Sequence, residues 1–164
     1  MKFLVLFSLT MMMCVPDTRG PWREITQNGM TFRWKVTGNM LEGSVHAPLQ
    51  GWVAVGVSPR TGIVGSNLLM FRVDEAGAYG EDQYVTGAGV HPTIASLGGR
   101  PGLRVVSGEQ SADGTTVHFE LMLYDDGYHP QFQAGDACFL TLAYSVADEF
   151  DHHSRMRTEA EITW

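Results

Sequence analysis

Apolar and polar residues alternate with a period of two along most of this chain, and helical periodicity is nearly absent. Thr31-Phe32-Arg33-Trp34-Lys35-Val36 sets Phe32, Trp34 and Val36 on one face and Thr31, Arg33 and Lys35 on the other. Thr116 to Leu123 repeats the arrangement, with Val117, Phe119, Leu121 and Leu123 facing inward and His118 beside Glu120 on the polar face. Turn signals separate such runs: Gly38-Asn39, Pro48 to Gly51, Asp74 to Gly77, Gly98 to Gly102, Asp113-Gly114 and Asp125-Asp126-Gly127. The pattern predicts an all-β chain, an antiparallel β-sandwich of about nine strands, with Trp52 to Val57 as a central strand. Val85 to Gly102 is the longest stretch without alternation and reads as a surface connection, either a crossover between sheets or a functional loop.

The first 20 residues read differently. Met1-Lys2 is a short basic start, Phe3 to Val15 is apolar apart from Ser8 and Thr10, and Pro16 to Gly20 breaks the run. About a dozen apolar residues are too few to span a bilayer and suit a secretory leader. Residues 1–20 are expected to be a signal peptide and 21–164 the folded domain, with no transmembrane segment left after cleavage and an extracytoplasmic location, secreted or periplasmic. A buried N-terminal strand or a membrane anchor is the alternative for the same run. Cleavage would leave Cys138 as the remaining cysteine, so the domain relies on core burial without a disulfide. Cys138 lies in the apolar run Ala137 to Tyr144 and is expected to be a buried, inert thiol.

Charge removes some partners. The formal net charge is −7, and the 11 Lys and Arg residues form no basic cluster, which argues against nucleic acid. Chemistry-bearing motifs are sparse. No Gly-x-Ser-x-Gly elbow, HExxH, P-loop or GxGxxG occurs, so the chain is expected to be non-catalytic on its own. His129, before Pro130 in a turn, is expected at the surface, and Trp34 and Trp52 in the core. The sequence Asp148-Glu149-Phe150-Asp151-His152-His153-Ser154-Arg155-Met156-Arg157 is the one notable cluster. It can be a charged loop whose acids balance Arg155 and Arg157, or a pair of imidazoles with Asp151 offering metal ligands. Tyr79 and Tyr84 around Glu81-Asp82-Gln83 could grip a sugar, and could equally belong to an ordinary exposed strand.

Three elements in this order carry a resemblance: Gly51-Trp52-Val53-Ala54-Val55-Gly56-Val57-Ser58, then Gly65-Ser66-Asn67-Leu68-Leu69-Met70, then the late His153 with Arg157 four residues on. Together they resemble the DOMON family of extracytoplasmic β-sandwiches, over roughly residues 22 to 164. The resemblance implies a secreted ligand-binding module for haem or carbohydrate, or a b-type cytochrome domain in electron transfer, acting alone or beside a redox or membrane partner protein. In haem-binding members the late His and an early Met are the axial ligands. By that resemblance His153 would ligate the iron of haem b, and Arg155 or Arg157 would pair with a propionate. Val64 stands at the Met position and cannot ligate, and Asn67 stands where many members have Asp. Met70, six residues on, is expected to be core filling and too distant to replace the thioether.

Overall fold

The computed structural model describes residues 20–133 and 135–164; the expected leader and its Cys14 lie almost wholly outside them. Ten strands form two five-stranded antiparallel sheets. The first sheet holds β1 (Arg23–Gln27), β2 (Met30–Thr37), β3 (Met40–Ala47), β7 (Leu103–Ser111) and β8 (Gly114–Met122), in the order β1-β2-β3-β8-β7. The second holds β4 (Val53–Ser58), β5 (Asn67–Asp74), β6 (Gly77–Tyr84), β9 (Ala137–Tyr144) and β10 (Met156–Thr163), in the order β10-β9-β4-β5-β6. The antiparallel sandwich expected from the alternation is what forms, and β4 is the middle strand of its sheet. Residues 85–102, expected as a surface connection, cross from β6 to β7 and include one turn of 3-10 helix at Ile94–Leu97.

The inward residues of both sheets make one core. Phe32, Trp34, Leu41, Val45, Val117, Phe119 and Leu121 come from the first sheet, and Val53, Val55, Val57, Leu69, Phe71, Leu140 and Leu142 from the second. Phe119 joins the layers: its ring lies 6.3 Å from Phe32 in its own sheet and 4.8 Å from Phe71 in the other. Gly43 makes this possible, because a Cβ there would sit 2.6 Å from the tip of the Phe119 ring. Cys138 is fully buried, and burial pushes its thiol up to about 11, so it is an inert core group as expected.

One buried polar cluster closes the end of the sandwich beside β6. His129 was expected at the surface, but it is only 4% exposed and bridges two carboxylates. Its Nδ1 lies 3.0 Å from Asp126 and its Nε2 3.0 Å from Asp82. Asp82 faces inward from β6 and also accepts from the Asn67 amide at 2.7 Å and the Gly102 backbone N–H at 2.7 Å. A Pro-flanked turn residue reads as exposed until its partner on β6, Asp82, is known, and that lies 47 residues away. With an acceptor at each ring nitrogen, the doubly protonated imidazolium is the form that satisfies the site.

That geometry has a pH signature. Burial disfavours the charge on His129, but its hydrogen bonds to Asp82 and Asp126 and their negative charges outweigh burial and raise its pKa. The resulting stability is complete below the unfolded value of about 6.5 and is lost as pH rises through the raised folded value. Burial likewise works against the Asp126 charge, but hydrogen bonds from His129 and two backbone N–H groups lower its pKa. Its stability is complete above the unfolded value of about 3.9 and is lost as pH falls through the lowered folded one. Urea unfolding should therefore show greatest stability between about pH 4 and 6.5 from this cluster, with His129→Gln flattening the alkaline decline. An unchanged pH dependence in that variant would contradict the charged cluster.

Candidate functional site

The site is a hollow on the outer face of the second sheet, and the residues of β4 explain it. Val53, Val55 and Val57 point into the core, so Trp52, Ala54, Gly56 and Ser58 belong to the opposite face. Two rows of paired residues cross that face. Arg157, Ala143, Ala54, Met70 and Glu81 form one; Glu159, Thr141, Gly56, Leu68 and Gln83 form the next. Small residues occupy the middle of each row and larger ones its ends, so the sheet surface dips over β9 and β4. A Cβ at Gly56 would stand 3.3 Å from Thr141 and 3.5 Å from Leu68, already tight against the floor.

Three segments wall the hollow. Residues 59–66 join β4 to β5, 85–93 follow β6, and 145–155 join β9 to β10. The first two are tied together: Gly65 N–H donates to Val85 at 2.8 Å and Val85 N–H to Ser66 at 3.0 Å. The third is stapled to the start of β4. Trp52 N–H donates to the Ala147 carbonyl at 2.9 Å, Ser145 N–H to the Trp52 carbonyl at 3.0 Å, and the Trp52 indole N–H to the His152 carbonyl at 3.2 Å. Ser145 Oγ donates to the His153 carbonyl at 3.1 Å. Trp52 is thus buried as expected, but in a separate cluster with Ala54, Leu68, Met70, Val85 and Ala143 on the outer face.

The cleft has a volume of about 190 Å³, an apolar floor, and His91, Asp151, His152, His153 and Arg157 among its lining residues. A second hollow of about 230 Å³ shares Ile63, Thr141 and Arg157 with it and is bounded by Glu159, which holds the 59–66 segment through Thr61 and Gly62. Together they reach the range usual for small-molecule sites, about 300–1,000 Å³.

The positions singled out from sequence divide accordingly. His153 and Arg157 line the cleft; Arg155 does not. Val64 is 43% exposed and lies outside the lining, whereas its neighbour Ile63 packs on the apolar floor. The side chain that enters the cleft from the 59–66 turn is therefore Ile63. Met70 is buried, but it lines the same cleft as His153 instead of filling the space between the sheets. Val64, from which its distance was reckoned, lies outside that lining. Among the described residues, no ion pair joins Asp148, Glu149 or Asp151 to Arg155 or Arg157, so the acids do not balance the arginines by direct contact. Nor does any group of three His, Cys, Asp or Glu side chains there stand close enough to hold a bare metal ion. His91 went unremarked as a ligand, and only its return beside β6 brings it to the cleft.

Solved structures share the fold of this sandwich. No protein-family model matches the sequence, and no curated protein matches it. The fold matches those of two solved cytochrome domains. The cytochrome b domain of pyranose dehydrogenase from Coprinopsis cinerea superposes with a TM-score of 0.66 at 10% identity, over 87% of this chain and 81% of that one. The cytochrome domain of cellobiose dehydrogenase from Myriococcum thermophilum does so with a TM-score of 0.62 at 12% identity, over 91% and 85%. At such identities the likeness establishes the fold, which is the one the three sequence elements implied.

The Trp52 staple supplies a test of how the cleft wall is held. Trp52→Phe removes one hydrogen bond, worth about 0.5–1.5 kcal/mol, and adds the cost of the space left where the indole packed. Amide exchange should rise in residues 145–155 and stay unchanged in β2 and β8. Uniform loosening of both sheets would show that the indole N–H does not specifically hold this wall.

Proposed function

We propose that this chain is a haem-binding module of the cytochrome-domain type, exported and without catalysis of its own, that passes electrons to or from a redox partner. The observation that carries the reading is the outer-face hollow, where an apolar floor meets imidazoles, a thioether and a guanidinium. Haem iron takes imidazole and thioether ligands, and His91, His152, His153 and Met70 supply both types at one cleft. Arg157, with no ion pair among the described residues, suits a carboxylate on the ligand by a charge-assisted hydrogen bond. The donor set therefore fits the group that gives the solved relatives their name.

When bound, haem b supplies a reversible one-electron couple. The chain's own part would be to cover the ligand with Ala54, Leu68, Met70 and Ala143 and to restrict water there. The cleft, of about 190 Å³, would leave an accessible side to which a partner protein could come. Carbohydrate fits this cleft less well. Its floor is mostly aliphatic, Trp34 is in the core, and the Trp52 ring is buried in the floor with its N–H engaged.

Titration of the purified protein with hemin, followed by absorption, tests the reading. It should give a one-to-one complex that is reducible and reoxidisable. Arg157→Ala should weaken hemin binding about tenfold, equivalent to about 1.4 kcal/mol, and Ala54→Phe should abolish it by filling the floor. Failure of the wild-type protein to take up hemin, or uptake unaffected by Ala54→Phe, would overturn the proposal.

A further inference from the structure

Among the histidines that line the cleft, one has its ring held from behind. Gln83, on the outer face of β6, donates from its Nε2 to the Glu81 carboxylate at 2.6 Å, and its Oε1 lies 2.7 Å from His91 Nδ1. Glu81 also accepts from the Tyr79 hydroxyl at 3.0 Å. The carboxylate fixes which way the Gln83 amide points, since the reverse orientation would set oxygen against oxygen. An amide oxygen can only accept, so His91 Nδ1 must carry the proton. In the neutral ring this leaves the lone pair on Nε2, and no hydrogen bond engages Nε2 among the described residues. A backbone bridge between Gln83 and Thr93, with Tyr84 N–H donating to the Pro92 carbonyl at 3.0 Å, returns the chain beside β6 and sets His91 there.

The contrast with the neighbouring imidazoles is plain. His152 and His153 are exposed, and among the described residues the hydrogen bonds found there engage their backbone groups, with none to their rings. A ligating histidine ordinarily donates its other ring N–H to an acceptor that fixes tautomer and orientation and raises its basicity. His91 has that acceptor; the others do not.

We propose that His91, through Nε2, is the imidazole donor of the outer-face cleft for an iron-centred planar ligand, with Gln83 and Glu81 as its positioning residues. The assignment rests on the haem reading and departs from the late His153 that the sequence motif selects. Glu81 acts through Gln83: without its negative charge the amide is free to turn, and the Nε2–H tautomer, useless for ligation, becomes accessible. The hydrogen bond to Glu81, reinforced by burial and the carboxylate charge, raises the Tyr79 phenol, which keeps that donor on Glu81 across the neutral range.

Hemin titration of the full chain, read by absorption and electron paramagnetic resonance, tests the assignment. His91→Ala should weaken hemin binding at least tenfold and change the spin state of the complex, while His153→Ala changes both less. Glu81→Gln should weaken binding about 10- to 100-fold, the usual effect of losing an outer-sphere partner. Nitrogen-15 NMR of the protein without hemin should show the Nδ1–H tautomer at His91 in the wild type and a mixture in Glu81→Gln, a change that a purely structural role for Glu81 would not produce. Hemin uptake with His91→Ala indistinguishable from wild type, or an Nε2–H tautomer at His91, would overturn the assignment and leave the haem reading standing. No uptake by the wild type would overturn both.

Discussion

Strand β4 does two jobs that its two-residue period keeps apart. Its odd-numbered valines fill the sandwich core, and Trp52, Ala54 and Gly56, on the other side, shape the outer face of the same sheet. Slipping the register by one residue would turn the valines outward and put the glycine in the core, so core and cleft are fixed by one alignment. Pairing of β4 with β5 and β9 then transmits it: Ala143 and Thr141 arrive beside Ala54 and Gly56, and Met70 and Leu68 arrive on the other side. The hollow is thus a consequence of sheet register combined with residue size.

The walls depend on the floor in turn. Residues 145–155 carry three ionisable or metal-seeking groups over the sheet because Trp52 and Ser145 hold their backbone. Residues 85–93 carry His91 because a backbone bridge returns them to β6. The two sides differ in how they present their imidazoles. One fixes the backbone and leaves the rings unheld; the other also fixes a ring through a side-chain relay on β6. On the inner side of the sheet, the buried Asp82–His129–Asp126 cluster uses the opposite face of β6, so this edge strand serves the fold with one face and the proposed site with the other.

Much of the fold was legible because alternation is a local signal. The inward residues of β2 and β8 follow directly from Thr31 to Val36 and Thr116 to Leu123, and the buried thiol of Cys138 follows from its apolar strand. The cleft was only partly legible. The motif Trp52-x-Ala54-x-Gly56-x-Ser58 points to the strand that floors the hollow, and the late motif names His153 and Arg157, which line its rim. A turn residue's direction depends on loop geometry: Val64 is exposed outside the lining, and Ile63, one residue earlier, is the one that turns inward. Met70 packs beside Leu68 as the sequence reading expected, but alternation alone does not say that this cluster lies on the outer face of the sheet. His91 and His129 carry no sequence signal of their roles, since their partners Gln83 and Asp82 lie 8 and 47 residues away.

The claim on which the account turns is that the ligand lies in the hollow over β4 and β9. Hydrogen–deuterium exchange of the wild-type protein with and without hemin measures this directly. Added protection confined to residues 59–66, 85–93 and 145–155 is the predicted result. Protection appearing instead around Pro21, Trp34, Phe132 and Trp164, which line a separate hollow of about 280 Å³ at the β1–β2 end, would contradict it.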